Sequence, residues 1–366
     1  MRPEHPSREA TASQTTPAEL RLAARNHALP LEALRHDLTP VGLHYLLVHF
    51  DIPAVDPAAW QLTIGGRVAR PLTLILDELR RRPARTLRVT MECAGNGRAL
   101  LDPRPAGQPW VEEAVGTAEW TGVPLADLLA EAGTDPEAVQ VVATGLDEGV
   151  ESGVAHRYAR SLPLKAARDG DVLVAFEMDG RALPSQHGFP ARLVVPDWYG
   201  MASVKWLASL EVVDTPFVGY QQRAYRLRRS AEDHGVPLDR IAVRSLMVPP
   251  GVPDAGTRAR IVTPGEQQLV GRAWSGRGPV TAVEVSADGG DTWWAADIAP
   301  PPGPFAWQAW RTTWRATPGT HELVCRAGDA SGALQPLAGR WNLGGYANNT
   351  VQRVPVTVAG AARRTG

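Results

Sequence analysis

Alternating apolar and polar positions recur along the first two-thirds of the chain and predict strands between short helices. The strand patterns cover Leu87–Glu92, Val172–Met178, Ala191–Val195 and Trp206–Val213. Apolar residues at helical spacing predict helices at Leu74–Arg82, Leu125–Ala132 and Leu164–Ala167. Asp179-Gly180 follows one of the strands and favours a tight hairpin turn. We therefore expect residues 21–238 to form a mixed α+β domain, preceded by a disordered tail over residues 1–20.

The last third of the chain shows almost only strand patterns. It begins after Ser230–Pro253, which is polar and then rich in proline and glycine, as is typical of an interdomain connection. Further strands are predicted at Val280–Ser286, Thr292–Asp297, Trp307–Trp314 and His321–Ala327. Short strands joined by turns over this length predict an immunoglobulin-like β-sandwich for residues 239–366.

Composition and charge narrow the possible functions of this two-domain chain. The 366 residues are 44% hydrophobic and carry a formal net charge of -1, without the clustered basic excess that nucleic-acid binding requires. No apolar run approaches the roughly 18 residues of a membrane span. The N-terminal segment has no apolar signal-peptide core, so we expect a cytoplasmic protein, or a periplasmic one if a signal was removed.

Cys93 and Cys325 are the only cysteines, and their separation is not that of a disulfide framework. Cys325 lies in a predicted strand and is expected to be a buried core thiol. Cys93 ends a strand and opens the glycine-rich loop CAGNGR. A thiolate there would be a soft metal ligand, although a single cysteine is more often a small buried hydrophobe.

Five motifs decide between these interpretations of Cys93. They are ECAGNGR at Glu92–Arg98, HGFPARLVVP at His187–Pro196, VKWL at Val204–Leu207, SADGGDTW at Ser286–Trp293 and WNL at Trp341–Leu343. Their sequences and their order resemble the sulfite oxidase and assimilatory nitrate reductase family. The resemblance implies a molybdopterin-binding domain followed by a dimerisation domain.

The resemblance also implies roles for individual residues. Cys93 would be the one protein ligand to molybdenum, with the pterin supplying a dithiolene. The implied cofactor-binding residues are His49, Asp147, His187, Arg192 and Lys205. Arginine and lysine suit the pterin phosphate, whereas histidine and aspartate suit the polar edge of its ring. The residues implied beside the metal, in the substrate pocket, are Arg98, Trp110 and Tyr225.

Three positions depart from the family pattern and remove positive charge from that pocket. Leu47 and Gly344 stand where the family has arginine, and Gly97 stands where many members have a further one. Each lost charge-assisted hydrogen bond is worth about 1.5–3 kcal/mol, so two losses would weaken sulfite binding by about two to four powers of ten. We expect other cations to compensate, with Arg104 as the first choice. The remaining candidates are His44 and His156.

As a member of this family, the chain would oxidise sulfite to sulfate by oxygen-atom transfer. Its electrons would pass to a separate acceptor such as a cytochrome c or oxygen, and the protein would be a homodimer. The depleted pocket leaves a second hypothesis open: the same fold acting on nitrate, a sulfoxide, an N-oxide or an organic sulfur compound. A third hypothesis is a non-catalytic binding protein, which would purify without molybdenum.

Overall fold

The computed structural model describes residues 16–151 and 153–359, which form two domains. Helices in the first domain are α1 Pro17–Arg25, α2 Leu76–Arg80, α3 Leu125–Ala132, α4 Leu164–Ala167 and α5 Tyr220–Ala224. Its strands are β1 Gln61–Gly66, β2 Leu72–Ile75, β3 Arg85–Glu92, β4 Val115–Pro124, β5 Gln140–Glu151, β6 Val154–Pro163, β7 Leu173–Met178, β8 Arg181–Ala182, β9 Arg192–Val194, β10 Leu207–Val213, β11 Arg226–Leu227 and β12 Val236–Pro237.

Two larger sheets build the first domain, and β11 and β12 form a separate two-stranded sheet. One has the strand order β2-β1-β10-β5-β6, in which only β1 and β10 run parallel. The other has the order β3-β4-β7-β8, with β9 paired to β7. Leucine, valine and alanine side chains from both sheets and from α3 share one buried core. This framework positions Cys93 directly after β3, Asp147 within β5 and Arg192 at the start of β9.

The second domain contains ten short strands in two layers. They are β13 Arg244–Met247, β14 Val252–Pro253, β15 Arg260–Val262, β16 Gly265–Trp274, β17 Val280–Ser286, β18 Trp294–Ala295, β19 Asp297–Ile298, β20 Gln308–Ala316, β21 Gly319–Asp329 and β22 Gln352–Val358. The sheets β13-β16-β20-β19 and β14-β15-β22-β21-β17-β18 enclose a core of their inward-facing side chains. The predicted β-sandwich is confirmed.

Several predicted elements are found in the structure with the predicted bounds. Helices α3 and α4 and strand β17 have the predicted bounds, and the Asp179-Gly180 turn joins β7 to β8 with positive φ at both residues. The helix predicted at Leu74–Arg82 is wrong at its start. Leu74 and Ile75 belong to β2, because they pair with Leu62 and Gln61 of β1.

Two other boundaries need correction. Residues 17–20, predicted as the end of a disordered tail, form the first turn of α1, which is capped by Thr16 and Glu19. Residues 1–15 of that tail lie outside the described residues. The predicted connection Ser230–Pro253 already contains β13, a strand of the sandwich. No helix of the described residues has the length and apolar character to cross a membrane.

The two domains meet behind the loop that follows β3. The carboxylate of Glu92, which is 2% exposed, accepts hydrogen bonds from Asn96 Nδ2 at 2.9 Å and Trp274 Nε1 at 2.8 Å. Arg244 Nε lies 3.2 Å from the same carboxylate. Because Trp274 and Arg244 belong to the sandwich, one buried acid connects the Cys93 loop to the second domain.

Candidate cofactor site

Cys93 directly follows β3 and begins a tightly bonded loop. Its backbone N–H donates to Ala114 O at 2.9 Å, and Asn96 bridges Glu112 O and the Ala114 N–H, both at 3.0 Å. Burial raises the pKa of the Cys93 thiol, while the Gly95 backbone and the charge of Arg98 lower it. The thiol is therefore buried, and the neighbouring Arg98 offsets only part of the cost of forming the thiolate that binds a metal.

The residues predicted to hold the cofactor converge on one cavity beside Cys93, here called the cysteine cavity. Its lining includes the thiol and all five predicted cofactor residues from separate parts of the chain: His49, Asp147, His187, Arg192 and Lys205. Tyr225, the first residue after α5, lines the same cavity. Motifs up to about 180 residues apart in sequence are thus brought together by the packing of the two sheets.

Two cations of the cysteine cavity are held by neutral oxygens. Lys205 Nζ donates to the carbonyls of Leu47 at 2.7 Å and Gln186 at 3.0 Å. Arg192 donates to the carbonyls of His187 and Ser203, both at 3.0 Å. Burial lowers the pKa of Arg192 to about 10 and that of Lys205 to about 7. Since no salt bridge within the described residues neutralises either side chain, both remain available to an anion such as a phosphate.

Several buried polar atoms around the cavity have no hydrogen-bond partner within the described residues: His44 Nε2, His187 Nε2 and Asp147 Oδ1. Burial lowers the pKa of His187 to about 2 and raises that of Asp147 to about 6. Native proteins pair nearly all such atoms. A pterin, whose ring carries donors and acceptors and whose side chain carries a phosphate, matches these unpaired groups and the two cations. The residues present therefore fit molybdopterin.

The departures from the family pattern are explained by what fills the space around them. Leu47 lines the cysteine cavity with an apolar side chain. A Cβ at Gly344 would lie 2.3 Å from Cε2 of Tyr346, so this ring occupies the space of a side chain at 344. Gly97 has φ +86° and a Cβ there would lie 2.5 Å from Asn348 O. A side chain at position 97 would be strained against the backbone, and a side chain at position 344 would require the Tyr346 ring to shift.

The predicted replacement cations do not supply the missing charge. Arg104 does not line the cysteine cavity and pairs with Glu19 at 3.0 Å. His156 also lies outside it, 3.1 Å from Glu151, which contacts His49 at the same distance. His44 does line the cavity, but burial lowers its pKa to about 4, so it is neutral near pH 7. The expectation of compensation by these three residues is wrong.

Arg98 and Trp110 lie against the Cys93 loop and not on the wall of the cysteine cavity. Arg98 donates to Gly344 O at 3.0 Å and Gln108 O at 2.9 Å. Trp110 is buried in the same cluster as Cys93. Their predicted contact with substrate stays a prediction.

Arg160 is a buried cation that the sequence analysis missed. It is 2% exposed, forms no salt bridge within the described residues and places Cζ 5.7 Å from the Tyr225 ring centroid. The rings of Tyr225 and Tyr346 are tilted by 38° with their centroids 5.1 Å apart, and Arg98 Cζ lies 5.2 Å from the Tyr346 centroid. The order Arg160, Tyr225, Tyr346, Arg98 is here called the arginine–tyrosine stack. Strand alternation could have found Arg160, because it shares the buried face of β6 with Tyr158.

The fold and the cavity together define a class of protein: an oxidoreductase that binds molybdopterin. A model of the oxidoreductase molybdopterin binding domain matches residues 49–221, and a model of the Mo-co oxidoreductase dimerisation domain matches residues 241–359. Molybdenum bound to molybdopterin is therefore the cofactor of this chain, as predicted.

Comparisons with individual proteins give the family. The chain is 39% identical to chicken sulfite oxidase over 338 residues, which is 86% of this chain and 72% of that protein. It is 36% identical to mouse mitochondrial sulfite oxidase, covering 88% of this chain and 62% of the mouse protein. The solved sulfane dehydrogenase SoxCD of Paracoccus pantotrophus superimposes with a TM-score of 0.77 at 27% identity, covering 98% of this chain and 96% of that one. This chain belongs to the sulfite oxidase family.

Proposed function

We propose that this protein oxidises sulfite to sulfate and passes the electrons to a separate acceptor. The observation that carries the proposal is the convergence of Cys93, the unpaired polar atoms and two unneutralised cations on one cavity. Named relatives at 36–39% identity that oxidise sulfite support it. When bound, the molybdenum cofactor supplies two-electron oxygen-atom transfer chemistry.

The protein's own side chains would bind, orient and exclude water. Lys205 and Arg192 would hold the pterin phosphate as charged donors, and His187 and Asp147 would satisfy the ring. Tyr225 would present its phenol to the metal side of the cavity. Burial raises the pKa of Tyr225 well above its ordinary value, so the phenol stays protonated and can donate a hydrogen bond to an anionic substrate.

The test is sulfite-dependent reduction of ferricyanide by purified protein with a measured molybdenum content. We expect turnover in the wild type and none in Cys93→Ser. A molybdenum-replete sample without sulfite turnover would contradict the assignment of sulfite as the substrate. A sample that purifies without molybdenum would instead support the hypothesis that the chain is a non-catalytic binding protein.

A second candidate substrate is a sulfane sulfur compound, which extends the organic sulfur alternative of the sequence analysis. It is favoured by the neutral side chain of Leu47 in the cysteine cavity and by the likeness to a sulfane dehydrogenase over 98% of the chain. Parallel assays with sulfite and with a persulfide, at equal molybdenum content, separate the two.

The partners follow from the same reasoning. The dimerisation-domain match at residues 241–359 supports a homodimer, which light scattering on the purified protein tests. A cytochrome c or oxygen remains the proposed electron acceptor, and reduction rates with each would distinguish them.

A further inference from the structure

A second cavity lies between the two domains and is here called the outer cavity. Its volume is about 930 Å³, within the range of small-ligand sites. One wall is the loop between β11 and β12, and the other is segment 334–349 of the second domain. The two walls are joined where Leu343 N donates to Arg228 O at 2.8 Å. The proposed function leaves this cavity without a role.

The outer cavity is lined by three arginines and one carboxylate. Arg228, Arg229 and Arg340 form no salt bridge with any residue in the described ranges. The carboxylate, Asp233, is occupied by the loop itself, because its two oxygens accept the N–H groups of Arg229 at 2.9 Å and Gly235 at 2.8 Å. Asp233 keeps its negative charge, but the three arginines outnumber it, so the concave site is net positive and attracts and concentrates small anions.

The arginine–tyrosine stack separates the outer cavity from the cysteine cavity. Tyr346 lines the outer cavity, Tyr225 lines the cysteine cavity, and their rings are 5.1 Å apart. The positions that lost their family arginine, Leu47 and Gly344, lie on the inner side of this wall or within it. Positive charge is thus reduced beside Cys93, whereas three arginines line the outer cavity on the other side of the Tyr225 and Tyr346 rings.

We propose that the outer cavity is a second binding site for a sulfur oxyanion, held by Arg228 and Arg340 with Arg229 as a further cation. Planar guanidinium groups donate paired hydrogen bonds to such oxyanions. The site holds incoming sulfite or departing sulfate next to the cysteine cavity, so this inference rests on the proposed function. It gives the arginines the substrate-capturing role that Leu47 and Gly344 have lost.

The first experiment is calorimetric titration of the molybdenum-loaded protein with sulfate as the probe. We expect sulfate to bind the wild type and to bind Arg228→Gln/Arg340→Gln at least about tenfold more weakly, because a partly buried cation at position 228 and an exposed one at position 340 are lost. The matched control is Arg80→Gln/Arg181→Gln, which removes the same charge from exposed positions outside the outer cavity and should bind sulfate like the wild type. Cys93→Ser should also retain this binding, because its change lies behind the tyrosine wall.

Steady-state kinetics with sulfite give the second readout. In Arg228→Gln/Arg340→Gln the value of kcat/KM should fall about tenfold at low ionic strength, and the loss should shrink at high salt. Equal sulfate affinity in the two double variants, or no sulfate binding to the wild type, overturns the outer site. A change confined to the KM for a protein electron acceptor also overturns it and assigns the arginines to an acidic partner. Failure of sulfite turnover in the wild type would overturn the proposed function alone, since sulfate titration does not depend on catalysis.

Discussion

Cys93 and Cys325 are both buried thiols, but their surroundings differ. Cys93 is 8% exposed and opens onto the cysteine cavity, whereas Cys325 is 0% exposed in β21 inside the sandwich core. Burial raises the pKa of both thiols, that of Cys325 to about 12. The near neighbours of Cys93 include the cation Arg98. The Cys325 thiol has a neutral partner, Gln352 Oε1, at 3.9 Å.

The comparison of Cys93 with Cys325 shows that burial and a raised pKa do not distinguish a candidate metal ligand from a packing residue. What distinguishes Cys93 is the open space beside it and the unpaired His187 and Asp147 atoms that face that space. A protein tolerates such atoms when another group satisfies them. Cys325 is packed inside the sandwich core, and its thiol already has Gln352 Oε1 as a partner, so it calls for no ligand.

The largest expected effect is therefore an asymmetry between two conservative substitutions. Cys93→Ser removes the soft ligand and should lower sulfite turnover by at least about 100-fold. Cys325→Ser should leave turnover unchanged and lower the free energy of unfolding by about 1–2 kcal/mol, because it places a hydroxyl in an apolar core. Ferricyanide assays and urea unfolding measure the two effects. Equal loss of turnover in both variants would show that Cys93 acts only through folding.

The second prediction concerns the buried acid that joins the Cys93 loop to the sandwich. Glu92→Ala leaves the Arg244 guanidinium, 2% exposed, without its partner at 3.2 Å. Breaking a buried ion pair in this way costs about 3–5 kcal/mol, so urea unfolding should show a large loss of stability. Asp51→Ala is the control, because its pair with Arg25 is 91% exposed on the aspartate side and contributes little. Similar stability of both variants would mean that the domains are held together without Glu92.

The third prediction sharpens the view of Lys205 as a phosphate donor. Burial lowers its pKa to about 7, so the ammonium form that binds a phosphate is lost as pH rises through that value. We expect apo-protein to bind molybdopterin about 10- to 100-fold more weakly at pH 9 than at pH 6. Arg192, with a pKa of about 10, stays charged over this range. In Lys205→Arg most of this pH dependence should disappear, leaving only what Asp147, with a pKa of about 6, contributes. An unchanged pH dependence would exclude Lys205 as the titrating group.

Most strands and two helices could be predicted because their patterns depend only on residues near in sequence. Several residues that line the cysteine cavity could be selected from the sequence, because Cys93, His187, Arg192 and Lys205 lie in motifs that resemble those of the family. The ion pair of Arg104 could not be predicted from the sequence. Its partner Glu19 lies 85 residues away, in the segment predicted to be a disordered tail, so one error about α1 produced the other. Side-chain pairs between distant segments leave no local signal in a single sequence.

The effect of a substitution by glycine is also hard to predict from the sequence alone. At position 344 the sequence shows only that an arginine is missing. The structure shows that a side chain at position 344 would meet the ring of Tyr346. This ring belongs to the arginine–tyrosine stack, which ends at Arg160. The arginine missing at position 344 and the buried Arg160 belong to distant parts of the sequence, and only the packed structure relates them.

The smallest expected effect comes from Arg160 as a positioning residue for Tyr225. Its guanidinium faces the ring at 5.7 Å and is anchored by Gln221 O at 2.8 Å. A desolvated cation–π contact is worth about 1–2 kcal/mol, so Arg160→Met should raise the KM for sulfite about three- to tenfold with a smaller change in kcat. Arg160→Lys should restore part of the loss, which a purely steric role would not explain. The control Arg157→Met lies on the exposed face of β6, with a side chain 52% exposed, and should leave KM unchanged. If Arg160→Met and Arg160→Lys behave alike, the charge behind Tyr225 does not contribute to substrate binding.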